Sequence, residues 1–111
     1  MREVIKIGDK DVEMVANAAS PYIYKNLFNE DFLLLIQSKE PPVDLFVKMG
    51  FVLSKQAEGL EHKKLMDLKQ DDFLTWLEQF DATAPLEATG DISSFYFKNT
   101  KTKSVPKKRG A

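Results

Sequence analysis

His62 is the only histidine in the sequence, and it sits in a Glu-His-Lys-Lys stretch at residues 61–64. An imidazole can serve as a general base or a metal ligand near neutral pH. A metal site needs further His or Cys ligands beside it. With one histidine and no cysteine in the chain, a solvated surface histidine is the simpler reading. Two adjacent carboxylate pairs, Glu30-Asp31 and Asp71-Asp72, come next, as Mg²⁺ ligands or an acid–base couple. Both precede apolar runs with helical spacing, where acids accept from orphan amides and suit the positive end of the dipole. Capping accounts for both pairs. The glycines at 8, 50, 59, 90 and 110 form neither GxGxxG nor a phosphate-binding loop, and no serine lies in GxSxG. The residues therefore point away from an enzyme: no catalytic, metal-ligating or cofactor-binding residue and no cofactor are expected.

What remains is a chain whose conspicuous side chains are apolar and aromatic. At 111 residues it is long enough for one core without staples, and its 43% hydrophobic and 30% charged residues are ordinary for a soluble globular domain. The absence of cysteine excludes a disulfide framework. The N-terminal stretch mixes charge with apolar residues and does not read as a signal peptide. The longest apolar run, Phe32 to Ile36, is five residues, far below the roughly 20 that cross a bilayer. A cytoplasmic protein that does not enter membranes is expected.

Charge is distributed unevenly. Residues 1–97 contain 10 Lys or Arg and all 17 acids, so 10 − 17 = −7; residues 98–111 contain six Lys or Arg and no acid, so +6. An acidic body thus carries a basic tail. That tail, KNTKTKSVPKKRGA, could meet phosphates electrostatically, but it has no aromatic to stack on bases. A small nucleic-acid-associated regulator using this tail is the alternative functional reading, and nucleic acid is the less expected partner.

The pattern along the chain predicts a mainly α fold: a small bundle of four to five helices with an N-terminal β-hairpin. Residues 1–98 form one domain, with the ribbon at about 3–15, and 99–111 are expected to be a disordered basic tail. The hairpin turns at Gly8-Asp9-Lys10. Ser20, as a cap accepting from orphan amides, and Pro21 at the first helical position start a first helix that runs to about Phe28, and Asn29, which visits left-handed geometry cheaply, ends it. Asp31 caps a second short helix to about Ser38, before Pro41-Pro42. Asp44 caps a third, with Leu45, Phe46, Met49, Val52 and Leu53 on one stripe as far as about Gly59. Residues 61–70 form a connector or a helical extension. Asp71 or Asp72 caps the next helix, carrying Phe73, Leu74, Trp76, Leu77 and Phe80. A last helix covers 85–98, with Gly90 a place for a break. Leu27, Phe28, Phe32 and one side of residues 33–36 are expected in the core.

Two aromatic groups exceed what one core can take. Tyr22 and Tyr24 point to different sides of the first helix. Phe95, Tyr96 and Phe97 are consecutive, about 100° apart on a helix, so at least one must lie at an edge or outside. These five are the candidate partner-binding residues, since exposed aromatic surface on a small protein marks an interaction site.

An N-terminal ribbon is followed by YKNLFNEDFL (24–33), DLFVKMGFVL (44–53) and DDFLTWLEQFD (71–81). This order of signals resembles the tail assembly chaperones of long-tailed bacteriophages and prophages of Gram-positive bacteria. Tyr24, Leu27, Phe28, Asp31, Phe32 and Leu33 match that family's early segment, with Asn29 where its glycine usually stands. Phe73, Leu74, Trp76, Leu77 and Phe80 match its later aromatic helix. The resemblance implies a non-catalytic protein of the host bacterial cytoplasm that binds the tape measure protein until the tail tube forms. It also implies self-association as a homo-oligomer, with the tail tube protein and a longer frameshifted form of the chain as further partners. Lys107-Lys108, whose codons can spell a slippery run, is the expected frameshift position.

Overall fold

The computed structural model describes the backbone of residues 1–104 and the side chains of residues 1–98. Its elements in chain order are β1 (Arg2–Ile7), β2 (Lys10–Val15), α1 (Ser20–Phe28), α2 (Phe32–Ile36), α3 (Leu45–Ala57), α4 (His62–Met66), α5 (Gln70–Leu77), α6 (Ala84–Glu87) and α7 (Thr89–Ser104). The helices and the two-stranded antiparallel sheet bear out a mainly α fold with an N-terminal hairpin. Seven helices among the described residues exceed the expected four to five. The connector supplies α4, and the last helix divides into α6 and α7. That division falls at Ala88 rather than Gly90.

β1 and β2 join through a two-residue turn in which Ile7 pairs with Lys10. Gly8 takes φ 64° there, and a positive φ on the first central residue alone is the pattern of a type II′ turn. Ile5, Ile7 and Met14 form the inward face, each at most 5% exposed. Alternation places Arg2, Val4, Lys6, Asp11 and Glu13 on the other face, toward water.

α3 is the central element, burying Leu45, Val47, Met49, Val52 and Leu53. Gly50 lets it approach α7 closely: a Cβ there would stand 2.9 Å from Ile92 Cδ1 and 3.5 Å from Met14 Cε. Asp44 precedes α3 as expected, but its carboxylate caps no amide; it lies 3.8 Å from Lys48 one turn on. Asp31 does cap α2, accepting from the Leu34 amide at 3.3 Å. Asp72 accepts from the Lys69 amide at 2.9 Å, so α5 begins at Gln70, ahead of the acid pair.

The start of α1 differs from the Ser20 cap read in the sequence. Ser20 lies inside the helix and is fully buried. Its hydroxyl accepts from the Asn17 amide at 3.1 Å and donates to Gln56 Oε1 at 2.6 Å. The Asn17 side chain accepts from the Ala19 amide and from Gln56 Nε2, at 2.9 and 3.0 Å. This network fastens the β2–α1 link to α3 and satisfies a hydroxyl that would otherwise be buried at a cost of about 1–3 kcal/mol.

Aromatic rings run through the core as a chain of contacts. From Phe97 it passes to Phe46 (5.8 Å between centroids), Phe32 (5.5 Å), Tyr24 (5.2 Å) and Phe28 (5.0 Å). It continues to Phe73 (5.2 Å), Trp76 (6.3 Å) and Phe80 (5.0 Å). Most of these pairs are tilted or edge-on, the arrangement ring quadrupoles favour. α7 runs on to Ser104, while the side chains of the expected basic tail and the backbone beyond Ser104, including Lys107-Lys108, lie outside the described residues.

Candidate functional site

The groups that could have done chemistry are dispersed. His62 is exposed at the start of α4, and Asp71 and Asp72 are exposed at the start of α5. Among the described residues no group of three His, Asp or Glu side chains could hold a metal ion. Nor does any helix there have the length and apolar character to cross a membrane.

The five aromatic candidates separate into wall and surface. Tyr24, Phe95 and Tyr96 are 0%, 1% and 4% exposed, so these three lie in the core. Residues 20, 23, 24, 27 and 28 form the buried stripe of α1, and 92, 95 and 96 that of α7, each at the 3–4 spacing of a helix face. Tyr22 and Phe97 fall off those stripes and are 70% and 38% exposed. The Tyr24 hydroxyl donates to Glu30 Oε1 at 2.8 Å. Burial, then that bond, then the charges of Glu30 and Asp44 push the phenol well above its ordinary range. Burial alone pushes the Tyr96 phenol up. Neither is a proton donor suited to neutral pH; both are packing residues.

Part of the exposed apolar surface lies on α2 and the residues that follow it, while Val4, Met66, Leu74 and Leu86 are exposed elsewhere. The α2 sequence, Phe-Leu-Leu-Leu-Ile, fills a helix of five residues that can present only one side to the core. Phe32 takes that side, 1% exposed against Phe46 and Tyr96. Leu33 and Leu34 beside it are 46% and 65% exposed, and Val43, three residues before Phe46, is 83% exposed. Leaving a leucine in water forgoes up to about 1.5–3 kcal/mol of burial. Phe97 extends the patch along α7 through its contact with Phe46, and a depression of about 400 Å³ opens beside it, lined by Ser93, Ser94 and Lys98. Sequence reasoning does not single out Leu33, Leu34 and Val43 as surface residues. The signal is present for the leucines, because five consecutive apolar residues on one short helix cannot all face inward.

Asn29 and Glu30 hold this patch in place. Asn29 takes φ 56° and ψ 38°, the left-handed geometry expected of it, and its amide closes α1 onto the Lys25 carbonyl at 2.8 Å. Glu30 then receives the Tyr24 hydroxyl and lies 3.4 Å from Lys48 Nζ. The ammonium sits 5.2 Å from the centre of the Phe28 ring. α2 is thereby fixed against α1 and α3 with Leu33 and Leu34 outward and Leu35 and Ile36 half-buried against the core.

Comparison with protein-family models, curated proteins and solved structures finds no match to this chain.

Proposed function

We propose that the chain is a non-catalytic assembly chaperone, of the kind its sequence resembles in long-tailed bacteriophages. Its client is the tape measure protein, held soluble until the tail tube closes around it. The observation that carries the reading is the outward-facing Leu33-Leu34 pair on α2, with Val43 and Phe97 beside the Phe46 wall. A small monomeric protein rarely leaves such surface uncovered without a use. An amphipathic helix offers the complementary shape, an apolar stripe that lies across a hydrophobic surface. The net charge of −7 on residues 1–97 would keep a loaded complex dispersed.

The test is co-expression of this chain with a tape measure protein, measuring how much client stays soluble and co-purifies. The wild type should retain it. Leu33→Asp with Leu34→Asp should release it while the thermal midpoint stays within a few degrees, since neither side chain is buried. Client capture unchanged by that pair would overturn the reading. So would salt-sensitive retention of the chain on DNA with no capture of client, which would favour a nucleic-acid-associated role for the basic segment.

A further inference from the structure

A second surface lies at the far end of α3, eleven residues and about 16 Å along the helix from Phe46. A cleft of about 290 Å³ runs there between β2 and the ends of α3 and α5. Asp11, Val12 and Glu13 form one wall, and Ala57, Glu58, Trp76 and Gln79 line the other side.

The hairpin register fixes what β2 presents to this cleft. Met1 and Ala16 exchange both main-chain hydrogen bonds, Ala16 N–H to Met1 O at 3.1 Å and the Met1 amine to Ala16 O at 3.3 Å. Bonded and non-bonded pairs alternate in an antiparallel ladder. Glu3–Met14, Ile5–Val12 and Ile7–Lys10 are therefore the bonded pairs. The N–H and C=O groups of Asp11, Glu13 and Val15 point the other way, along the free edge of β2. None of them meets a partner among the described residues. Trp76 is 8% exposed, and its indole N–H likewise finds no acceptor among the described residues. A row of outward main-chain groups over a tryptophan matches an added strand rather than a helix.

Charge selects which strand. The lining carries Asp11, Glu13 and Glu58, and Arg2 Nη1 reaches both walls, donating to Ala57 O at 3.4 Å and lying 3.2 Å from Glu13, so an added strand displaces it. Their partners Lys6, Arg2 and Lys55 lie 3.0, 3.2 and 3.1 Å away. All three carboxylates are at least half exposed, and exposed pairs of this kind are weak and exchange partners readily. Pairing β2 with β2 of a second copy would set carboxylates opposite one another, which opposes edge-to-edge self-association. We infer that this cleft binds an extended, lysine- or arginine-bearing peptide segment of a partner protein, added as a third strand to the free edge of β2. Its cations lie over Asp11, Glu13 and Glu58, and its main chain pairs with residues 11, 13 and 15.

Trp76 is the only tryptophan in the sequence, so its fluorescence reports the cleft directly. The probe is a ten-residue peptide alternating lysine and valine, titrated into the intact chain, with amide shifts followed in parallel by NMR. Saturable change at Trp76 and shifts at Asp11, Glu13 and Val15 are expected. The same peptide with glutamate for lysine, and one N-methylated at alternate residues, should each bind at least tenfold more weakly. Asp11→Lys with Glu13→Lys should cost a similar factor, and Glu13→Pro, which removes an outward N–H but no ladder bond, should also weaken binding. Equal binding of the N-methylated peptide would overturn strand addition, leaving electrostatic adsorption alone. Equal binding of the glutamate peptide would overturn the charge selection. Concentration-dependent shifts of the same amides without peptide would assign the edge to a second copy instead.

Discussion

The Tyr24 hydroxyl reaches across the left-handed turn at Asn29 to donate a 2.8 Å hydrogen bond to the Glu30 carboxylate. The two ends of that bond are unequally protected. Tyr24 is fully buried, whereas the Glu30 side chain is 37% exposed and lies 3.4 Å from Lys48. Glu30→Ala therefore orphans a buried hydroxyl, at about 1–3 kcal/mol, while Tyr24→Phe leaves a carboxylate that water and Lys48 still serve. Glu30→Ala should lower the unfolding free energy more than Tyr24→Phe. The double variant should cost less than the sum of the two. Urea denaturation of the four proteins measures all three quantities.

Alkaline stability follows from the same residue and from Tyr96, because both phenols are raised in the folded state, first of all by burial. An unfolded tyrosine loses its proton near pH 10. Above that pH the unfolded chain holds fewer protons than the folded one, so unfolding becomes easier as pH rises. The stabilisation is complete below about pH 10 and declines above it, at up to about 1.4 kcal/mol per pH unit for each phenol. Tyr96→Phe should make that decline shallower while leaving stability at pH 8 within about 1 kcal/mol, as a change that keeps the ring's packing. Denaturant midpoints from pH 8 to 11 check it.

Asn29 tests how the α1–α2 turn is specified. At φ 56° a glycine is free of strain and a β-branched residue is not. Asn29→Gly should change stability by less than about 0.5 kcal/mol, whereas Asn29→Val should cost about 2 kcal/mol or more. The valine variant should also loosen α2, seen as faster amide exchange at Leu35, whose N–H bonds to the Asp31 carbonyl.

The features legible in the sequence are those set by neighbours within a turn or two. Gly8 in the hairpin, Asn29 in its left-handed turn and Asp31 capping α2 each express a local backbone requirement. The sorting of Tyr22 from Tyr24, and of Phe97 from Phe95 and Tyr96, is also latent in helical spacing. It needs only the observation that residues 20, 23, 24, 27 and 28 share one stripe on α1, and residues 92, 95 and 96 another on α7. Ser20 reads locally as a cap because its partner Gln56 is 36 residues away, and no local pattern announces such a pairing. The cleft at β2 joins three elements distant in sequence, so the acids lining it read along the chain only as scattered surface charge.

Gly50 offers the most direct test of how α3 packs. Glycine inside a helix costs about 1 kcal/mol relative to alanine, so Gly50→Ala would stabilise an exposed helix. Here the new methyl would stand 2.9 Å from Ile92 Cδ1, within a core where Ile92 and Met14 are both 0% exposed. Overpacking of that kind costs about 1–3 kcal/mol, enough to cancel or outweigh the helical gain, and Gly50→Ala should be neutral to destabilising by about 2 kcal/mol. Ile92→Val removes the Cδ1 atom that the methyl would strike, itself at about 0.5–1.5 kcal/mol. In the Ile92→Val background Gly50→Ala should therefore become stabilising by up to about 1 kcal/mol, as the helical gain is released and part of the void is filled. Unfolding free energies of the wild type, both single variants and the double variant decide it. A Gly50→Ala effect that is the same in both backgrounds would mean that α3 and α7 can move apart at this point, and that the close approach at Gly50 is not what sets their spacing.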